Sequence, residues 1–552
     1  MISSGIKWSA SSFEAMCSNF HFEIPQKLNI AELVCDRNAQ ATPNAVALKE
    51  VQSVPGGKWK LQETTFRELQ VLSNKFATVL REYGIGRGER VAVFLPQGLA
   101  AAVSHVAIQK IGAIGVPLST LFRQEALKYR LVASGTKALI TNHELRQYYD
   151  PIAKDLKDLA LLFSTDKSDG ALPFWPNIEK AKILSEMVST LKDDPALLIF
   201  TSGTSGLPKG ALHGHRLLPA RLPGFELIHQ LEKTPPNGRP FWTPADWSWI
   251  GGLVDSVFTP WVFGHSVISL GGRFDTSLVF PMLKEFNVRS AFLPPTALSK
   301  LRAHGDKGEA LDCVIHTAGE ALSPDIYEWA SRVFSKVYDL YGMTEMGATI
   351  GSSPFVPMRP GALGKPYPGH RVELIDDSGQ VLKGEAKGEI AIHRDNPGMF
   401  LRYWNDASGT QERFRNDFMV TGDMAKRDAD GYLWYLGRND DVFNTSGYRV
   451  GPAEIERAIE EHPHVERSAV VGMPDRTCGH VVKAFVLPTA GVQPSQDLLV
   501  DIQVFVKKRL AAFEYPKTIM FVRDLPTTVT GKIQRAVLRE PDADERYGWP
   551  IK

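Results

Sequence analysis

Cysteine is nearly absent from this chain: Cys17, Cys35, Cys313 and Cys478 stand far apart among 552 residues. No C-x-x-C pair occurs, so neither a zinc site nor a disulfide framework is indicated, and a reducing compartment is the natural setting. Long apolar runs are missing as well. A membrane-spanning helix needs about 20 apolar residues in succession, and the best stretch, Leu99 to Leu118, is interrupted by His105 and Lys110. An excess of either charge is lacking too. Lys and Arg number 63 against 62 Asp and Glu, which removes the electrostatic ground for a nucleic-acid partner. The first residues carry neither a signal-peptide nor an Arg-rich transit pattern, and Glu14 speaks against the latter. Internal repeats and low-complexity segments are absent. We therefore expect a cytoplasmic, soluble protein with no membrane span and no nucleic acid.

What remains is ordinary globular composition, 43% hydrophobic and 23% charged, in a chain long enough for two or more domains. Strand and helix patterns alternate through the first half. Thr65 and Glu68 have capping-box spacing, and Leu69, Leu72, Phe76, Val79 and Leu80 follow at helical intervals until Gly84. "RVAVFL" (90–95), "KALIT" (137–141) and "ALLIFT" (196–201) are short apolar runs that fit parallel strands. The fold class is thus α/β. From about 360 to 436, short strands with Gly and Pro turns ("GEIAIH", "GYLWYLG") predict a small antiparallel or β-barrel-like subdomain. Beyond it, helix "PAEIERAIEEH", strands "SAVVG" and "VKAFVL", a helix near 498–510 and strand "TIMFV" suffice for a smaller α+β domain. The expected division is an N-terminal domain of 1–437 and a C-terminal domain of 438–552.

Sharing Thr201 with the end of "ALLIFT" is "TSGTSGLPKG" (201–210), with three glycines, four hydroxyls and one lysine. In open α/β sheets ligands gather outside the carboxyl ends of strands. Backbone N–H groups and the hydroxyls of Thr201, Ser202, Thr204 and Ser205, with Gly203 for flexibility, are suited to wrap nucleotide phosphates, and Lys209 to neutralise them. The common phosphate loop places its lysine at a helix mouth; here Pro208 and Gly210 keep Lys209 on loop.

Downstream, "TAGEAL" (317–322), "YGMTE" (341–345), "TGD" (421–423), "GRNDDVFNTSGYRVGPAEIE" (437–456) and "TGKIQR" (530–535) follow in order. Together with the glycine-rich loop they resemble the adenylate-forming family of acyl-CoA synthetases, over about residues 40–540, and within it the acetyl and medium-chain branches. The resemblance implies ATP, Mg²⁺ and coenzyme A. It implies a large domain with two mostly parallel sheets and a mobile small one. Glu345 would be the Mg²⁺ carboxylate, since such an ion takes one or two carboxylates and completes its shell with phosphates and water. Thr344 would contact the α-phosphate. Asp423 and Arg438 would hold the ribose. Gly319, Glu320 and Ala321 would lie along the adenine, with Asp339, Tyr341 and Gly342 completing the nucleotide site. Lys532 would bridge the substrate carboxylate and α-phosphate in the first half-reaction. Asp440 would be the hinge, Gly447 would let pantetheine pass, and Arg449 would meet phosphate in one domain orientation. For Asp440 an ordinary turn, and for Gly447 a loop leading into the helix at Pro452, are the bland alternatives.

The acyl pocket is expected near Trp249, Gly342 and His213. Acetate-using relatives carry tryptophan where Gly342 stands, so a glycine is expected to open a tunnel for a longer, cyclic or aromatic acid. His213 matches a family histidine near the pocket, with a purely structural role as the alternative. The expected activity is an acid–thiol ligase forming acyl-AMP and then acyl-CoA. Loading of a carrier-protein thiol, luciferase-like oxidation and a non-catalytic adenylate sensor stand as alternatives, and a homodimer is left open.

Overall fold

The apolar runs assemble into three sheets in the computed structural model. It describes residues 5–6, 12–166, 170–201, 208–230, 239–272, 274–305, 310–320, 322–439, 441, 443–445, 448–475, 479–510, 515–528 and 531–551, the side chains of 444, 445, 448, 449, 454 and 479 excepted. An eight-stranded sheet has a parallel core in the order Pro195–Phe200, Ile114–Pro117, Arg90–Val93, Ala138–Thr141, Leu161–Ser164 and Leu172–Pro173. At one edge Gly210–Gly214 and then Arg402–Tyr403 join it antiparallel. These short central strands are buried on both faces, which is why they read as continuous Val, Ile and Leu rather than as alternation.

The helix expected after Thr65 spans Phe66–Glu82, and its capping box is complete: the Thr65 N–H donates to Glu68 Oε2 at 2.8 Å and the Glu68 N–H to Thr65 Oγ1 at 3.2 Å. It packs on helix Leu99–Lys110, the stretch that His105 and Lys110 interrupt. Both polar residues are buried there. Burial pushes His105 down to about 3, hence neutral, and Lys110 donates to Asp36 at 2.7 Å and Asn74 at 2.6 Å. Among the described residues no helix is long and apolar enough to cross a membrane.

The second sheet has fourteen strands. Its parallel run comprises Val46–Val54, Val267–Leu270, Phe241–Trp242, Ser290–Phe292, Leu311–Ala318 and Phe334–Met343. Here the structure corrects one expectation. The strands between 360 and 436 do not form a separate barrel. They continue this sheet as an antiparallel ladder, from Gly347–Gly351 through Ala362–Pro366, Leu433–Arg438, Phe418–Arg427 and Ala386–His393 to Val372–Ile375. No pairing among the described residues closes it. The third sheet is the C-terminal one: Tyr448–Val450, Phe443–Thr445, Gly479–Pro488 and Val465–Asp475, with Thr518–Phe521 parallel to Gly479–Pro488. It carries its own apolar core around Ile455, Ile459, Val470, Ala484 and Ile502.

Candidate active site

The glycine-rich stretch is flanked by two strands that pair antiparallel, Pro195–Phe200 and Gly210–Gly214. Phe200 faces Gly210 across the antiparallel pair, and the Thr201 N–H donates to the Lys209 carbonyl at 2.9 Å. Residues 202–207 lie outside the described residues, and with them Ser202, Gly203, Thr204 and Ser205. Lys209 stands at the root of the returning strand. Its ammonium is 2.8 Å from Asp406 Oδ2 and 5.2 Å from the centroid of the Tyr403 ring. Tyr403, paired opposite Ala211, donates its hydroxyl to Glu345 Oε1 at 2.5 Å. Burial and the neighbouring Glu345 carboxylate hold that hydroxyl well above the usual tyrosine range, so it stays a donor.

Glu345 is 4% exposed, and its second oxygen accepts no hydrogen bond from a described residue. No group of three or more potential ligands gathers among the described residues. One buried carboxylate with a free oxygen, facing a cavity, suits a Mg²⁺ that takes most of its shell from phosphate and water, and does not suit an all-protein cage.

Asp423 and Arg438 are cross-strand neighbours, Nη1 to Oδ1 at 3.3 Å. Asp423 also accepts from the hydroxyls of Tyr341 at 2.5 Å and Tyr435 at 3.3 Å. Both phenols are raised far above their ordinary value by burial and then by Asp423. Gly319 follows strand Leu311–Ala318 with φ +95°, and nothing lies within 4 Å of where a Cβ would point. Next to it, Glu320 is raised by burial, against the opposing pull of Arg467 and Lys532. Asp339 is buried with no cationic partner among the described residues, and desolvation pushes its carboxyl up to about 8.

Lys532 sits in a turn tied by two hydrogen bonds to Thr528: its N–H donates to Oγ1 at 3.2 Å, and its carbonyl accepts the Thr528 N–H at 2.8 Å. The next-door Gly531 packs on Glu320, and Arg467 Nη2 is 3.9 Å from Glu320 Oε2. The C-terminal unit is therefore closed over the larger one. One cavity of about 1430 Å³ results, lined by Thr201 and Lys209, by Thr344 and Glu345, and by Asp423 and Arg438, with Lys532 opposite. It opens at the carboxyl ends of parallel strands from both large sheets, where such folds place ligands. Asp339, Tyr341, Gly342, Gly319, Glu320 and Trp249 line it as well.

Ala321, Asp440 and Gly447 lie outside the described residues, as does the Arg449 side chain; the Arg449 backbone pairs opposite Asn444. Two expectations need correction. His213 is fully buried and does not line the cavity; burial and the nearby Arg221 and Arg216 push it down to about 3, leaving a neutral core imidazole. Gly342 does line the cavity, but a Cβ there would run into the carbonyl of Gly347 and the amide of Ala348. Its missing side chain serves strand contact rather than an open tunnel. Sequence reasoning also missed Tyr403, Asp406, Arg221 and Asp255. Single aromatic, acidic or basic residues outside a glycine-marked turn leave no local signal.

Known proteins with this architecture fit the arrangement. The family model described as "AMP-binding enzyme" matches residues 35–404, and "AMP-binding enzyme C-terminal domain" matches 454–532. Acyl-coenzyme A synthetase ACSM3, mitochondrial, of Rattus norvegicus is 33% identical over 550 residues, covering 96% of this chain and 93% of the relative. The acetyl-coenzyme A synthetase of Bacillus subtilis (strain 168) is 34% identical over 534 residues, covering 93% and 90%. Among solved structures, the anthranilate CoA ligase AuaEII in complex with anthranoyl-AMP superposes with a TM-score of 0.84 at 27% identity, over 94% of this chain and 97% of that one.

Proposed function

This chain belongs to the AMP-binding enzyme family as an acyl-CoA synthetase, and from that premise we propose that it activates an acid larger than acetate, a medium-chain, cyclic or aromatic carboxylic acid, in the cytoplasm. One observation carries this reading: Lys532 from the C-terminal unit and Lys209, Glu345 and Asp423 from the larger one face the same cavity. The same cavity is lined by residues of helix Leu222–His229 and of the π-helix Gly251–Phe258, and by Phe225, Trp242, Trp249 and Phe292. This aromatic lining supports an acid with an apolar body larger than a two-carbon chain.

In the first half-reaction the substrate carboxylate attacks the α-phosphorus of ATP and pyrophosphate leaves. Like charges must approach, so fixed positive charge in a closed site lowers the barrier. We assign that task to Lys532 at the reacting centre and to Lys209 at the departing phosphates. Thr344 would donate to the α-phosphate. Glu345, held by the Tyr403 hydroxyl, would keep a Mg²⁺, which supplies charge neutralisation on the phosphates when bound. Asp423 and Arg438 would position the ribose. In the second half-reaction the coenzyme A thiol attacks the acyl carbonyl and AMP leaves. We place the boundary between the moving units after Gly437, with Asp440 as pivot, and give Gly447 and Arg449 to that second arrangement.

Acid-dependent pyrophosphate release, with AMP turnover rising sharply on addition of coenzyme A, is the expected result for the purified protein. Pyrophosphate release indifferent to coenzyme A would sink the thioester step. Lys532→Ala is expected to lower adenylate formation by about 100-fold or more while sparing thioester formation from supplied acyl-AMP. Equal loss of both would remove Lys532 from the first step.

A further inference from the structure

Against Gly347, the wall of the cavity holds a charge pair to which the adenylation chemistry above gives no role. Arg221 precedes helix Leu222–His229 and is 4% exposed, yet Nε, Nη1 and Nη2 all lack a hydrogen-bond partner among the described residues. Its guanidinium occupies the space a side chain at Gly347 would need, and that glycine has φ +77°. Asp255, on the π-helix, has Oδ1 3.7 Å from Arg221 Nε, beyond hydrogen-bond reach, and the Asp255 side chain is a quarter exposed. Both residues line the cavity. The imidazoles that lie near Arg221, His213 and His370, are neutral, since burial pushes them down to about 3 and about 4. A guanidinium carries five donors in a fixed fork. Leaving it buried and unbonded is costly, and a loose carboxylate at its side compensates only its charge.

We infer that Arg221 and Asp255 are specificity-determining residues that recognise a hydroxyl group on the acid to be activated. The hydroxyl oxygen accepts from the guanidinium and its hydrogen is donated to the Asp255 carboxylate, so both groups are satisfied at once. A second carboxylate would satisfy Arg221 but bring a like charge against Asp255. An alkyl or phenyl end would leave both unbonded. The remaining lining, Phe225, Trp242, Trp249 and Phe292, packs the apolar body of the acid. The inference rests on the acyl-CoA ligase reading above and narrows its substrate class to hydroxy acids.

The test is kcat/KM for acid-dependent pyrophosphate release across matched triples: 3- and 4-hydroxybenzoate against benzoate and terephthalate, and 6-hydroxyhexanoate against hexanoate and adipate. A site built to bond a hydroxyl discriminates strongly against the analogue lacking it, so a preference of about 100-fold or more for one hydroxy acid over its parent and its diacid is expected. Parent acids equal to or better than every hydroxy acid, or a diacid best, overturns the inference while leaving the ligase reading intact. No pyrophosphate release with any acid overturns the ligase reading, and this one with it. The double variant Arg221→Met/Asp255→Leu removes both charges together, so no lone charge stays buried. It is expected to lose the hydroxy-acid preference while keeping turnover of the parent acid and a wild-type melting curve. An unchanged preference in a folded double variant also overturns the inference.

Discussion

A single methyl group probes the turn that presents Thr344 and Glu345. At Gly342 a Cβ would meet the Gly347 backbone, which is fixed by the pairing of Phe334–Met343 with Gly347–Gly351. Relief therefore requires backbone movement rather than a side-chain rotation. Gly342→Ala is expected to cost about 1–3 kcal/mol, the usual range for overpacking, read as a lowered denaturation midpoint, with loss of activity as Glu345 shifts. An unchanged midpoint would mean that the strands are not this close. The same residue shows what a sequence conceals. That 342 is glycine was plain; that its missing side chain meets a neighbouring strand rather than the ligand depends on a pairing set five residues further on. Asp339 gives the pH prediction at this scale. Its folded value is raised from 3.8 to about 8 by desolvation, so the native state holds a proton that the unfolded state has lost throughout that window. Stability thus falls as pH rises from about 4 to about 8, each unit being worth about 1.4 kcal/mol. Asp339→Asn is expected to flatten the pH dependence of the melting temperature over that range and to raise it at pH 8. A slope identical to wild type would contradict the buried, unpaired carboxyl.

Between elements, the C-terminal unit is joined by an ionic cluster rather than by apolar packing alone. Arg535 opens the short helix Arg535–Leu538 and donates to both oxygens of Glu456 on helix Pro452–Glu460, at 3.0 and 2.6 Å, and reaches Asp441 at 3.4 Å. Glu456 also accepts the Val470 N–H at 2.6 Å, and Arg539 binds Asp441. Lys532 lies three residues before Arg535 and Asp441 follows the proposed pivot, so the cluster would tie the turn that carries Lys532 to that proposed pivot. Arg535→Met would leave Glu456 and Asp441 buried with fewer partners, and about 3–5 kcal/mol of stability loss in this unit is expected. The check is a denaturation transition that resolves the C-terminal unit; a change under about 1 kcal/mol would mean the cluster is solvated. The elements themselves were largely legible. Capping-box spacing located helix Phe66–Glu82, and the runs at 90–95, 137–141 and 196–201 correspond to Arg90–Val93, Ala138–Thr141 and Pro195–Phe200. What was not legible was partner choice. Short strands with turn residues signal antiparallel pairing, but the edge they pair with is decided by non-local contacts, so an expected barrel is a continuation of the fourteen-stranded sheet.

At the scale of the whole molecule, the contact between Glu320 and the turn around Lys532 is where the two units meet over the cavity. Glu320 faces Arg467 at 3.9 Å and feels Lys532, while Gly361 packs on the Arg457 guanidinium. With Arg467 34% and Glu320 11% exposed at the side chain, this pair is worth about 1 kcal/mol at most, or about a five-fold bias between arrangements. Under the proposed movement of the C-terminal unit, that size suits a contact that forms for adenylation and breaks for thioester formation, since a stronger one would trap the closed form. Arg467→Ala is therefore expected to lower the rate of acyl-AMP formation by about five-fold and to leave thioester formation from supplied acyl-AMP unchanged or slightly faster. Raising ionic strength should reproduce part of the effect in the wild type and little of it in the variant, because partly exposed charges are screened over about 8–10 Å in physiological salt. If both half-reactions slow together, Arg467 supports the fold of the C-terminal unit rather than its docking. If neither changes, Gly531 and the Lys532 turn alone hold the closed arrangement.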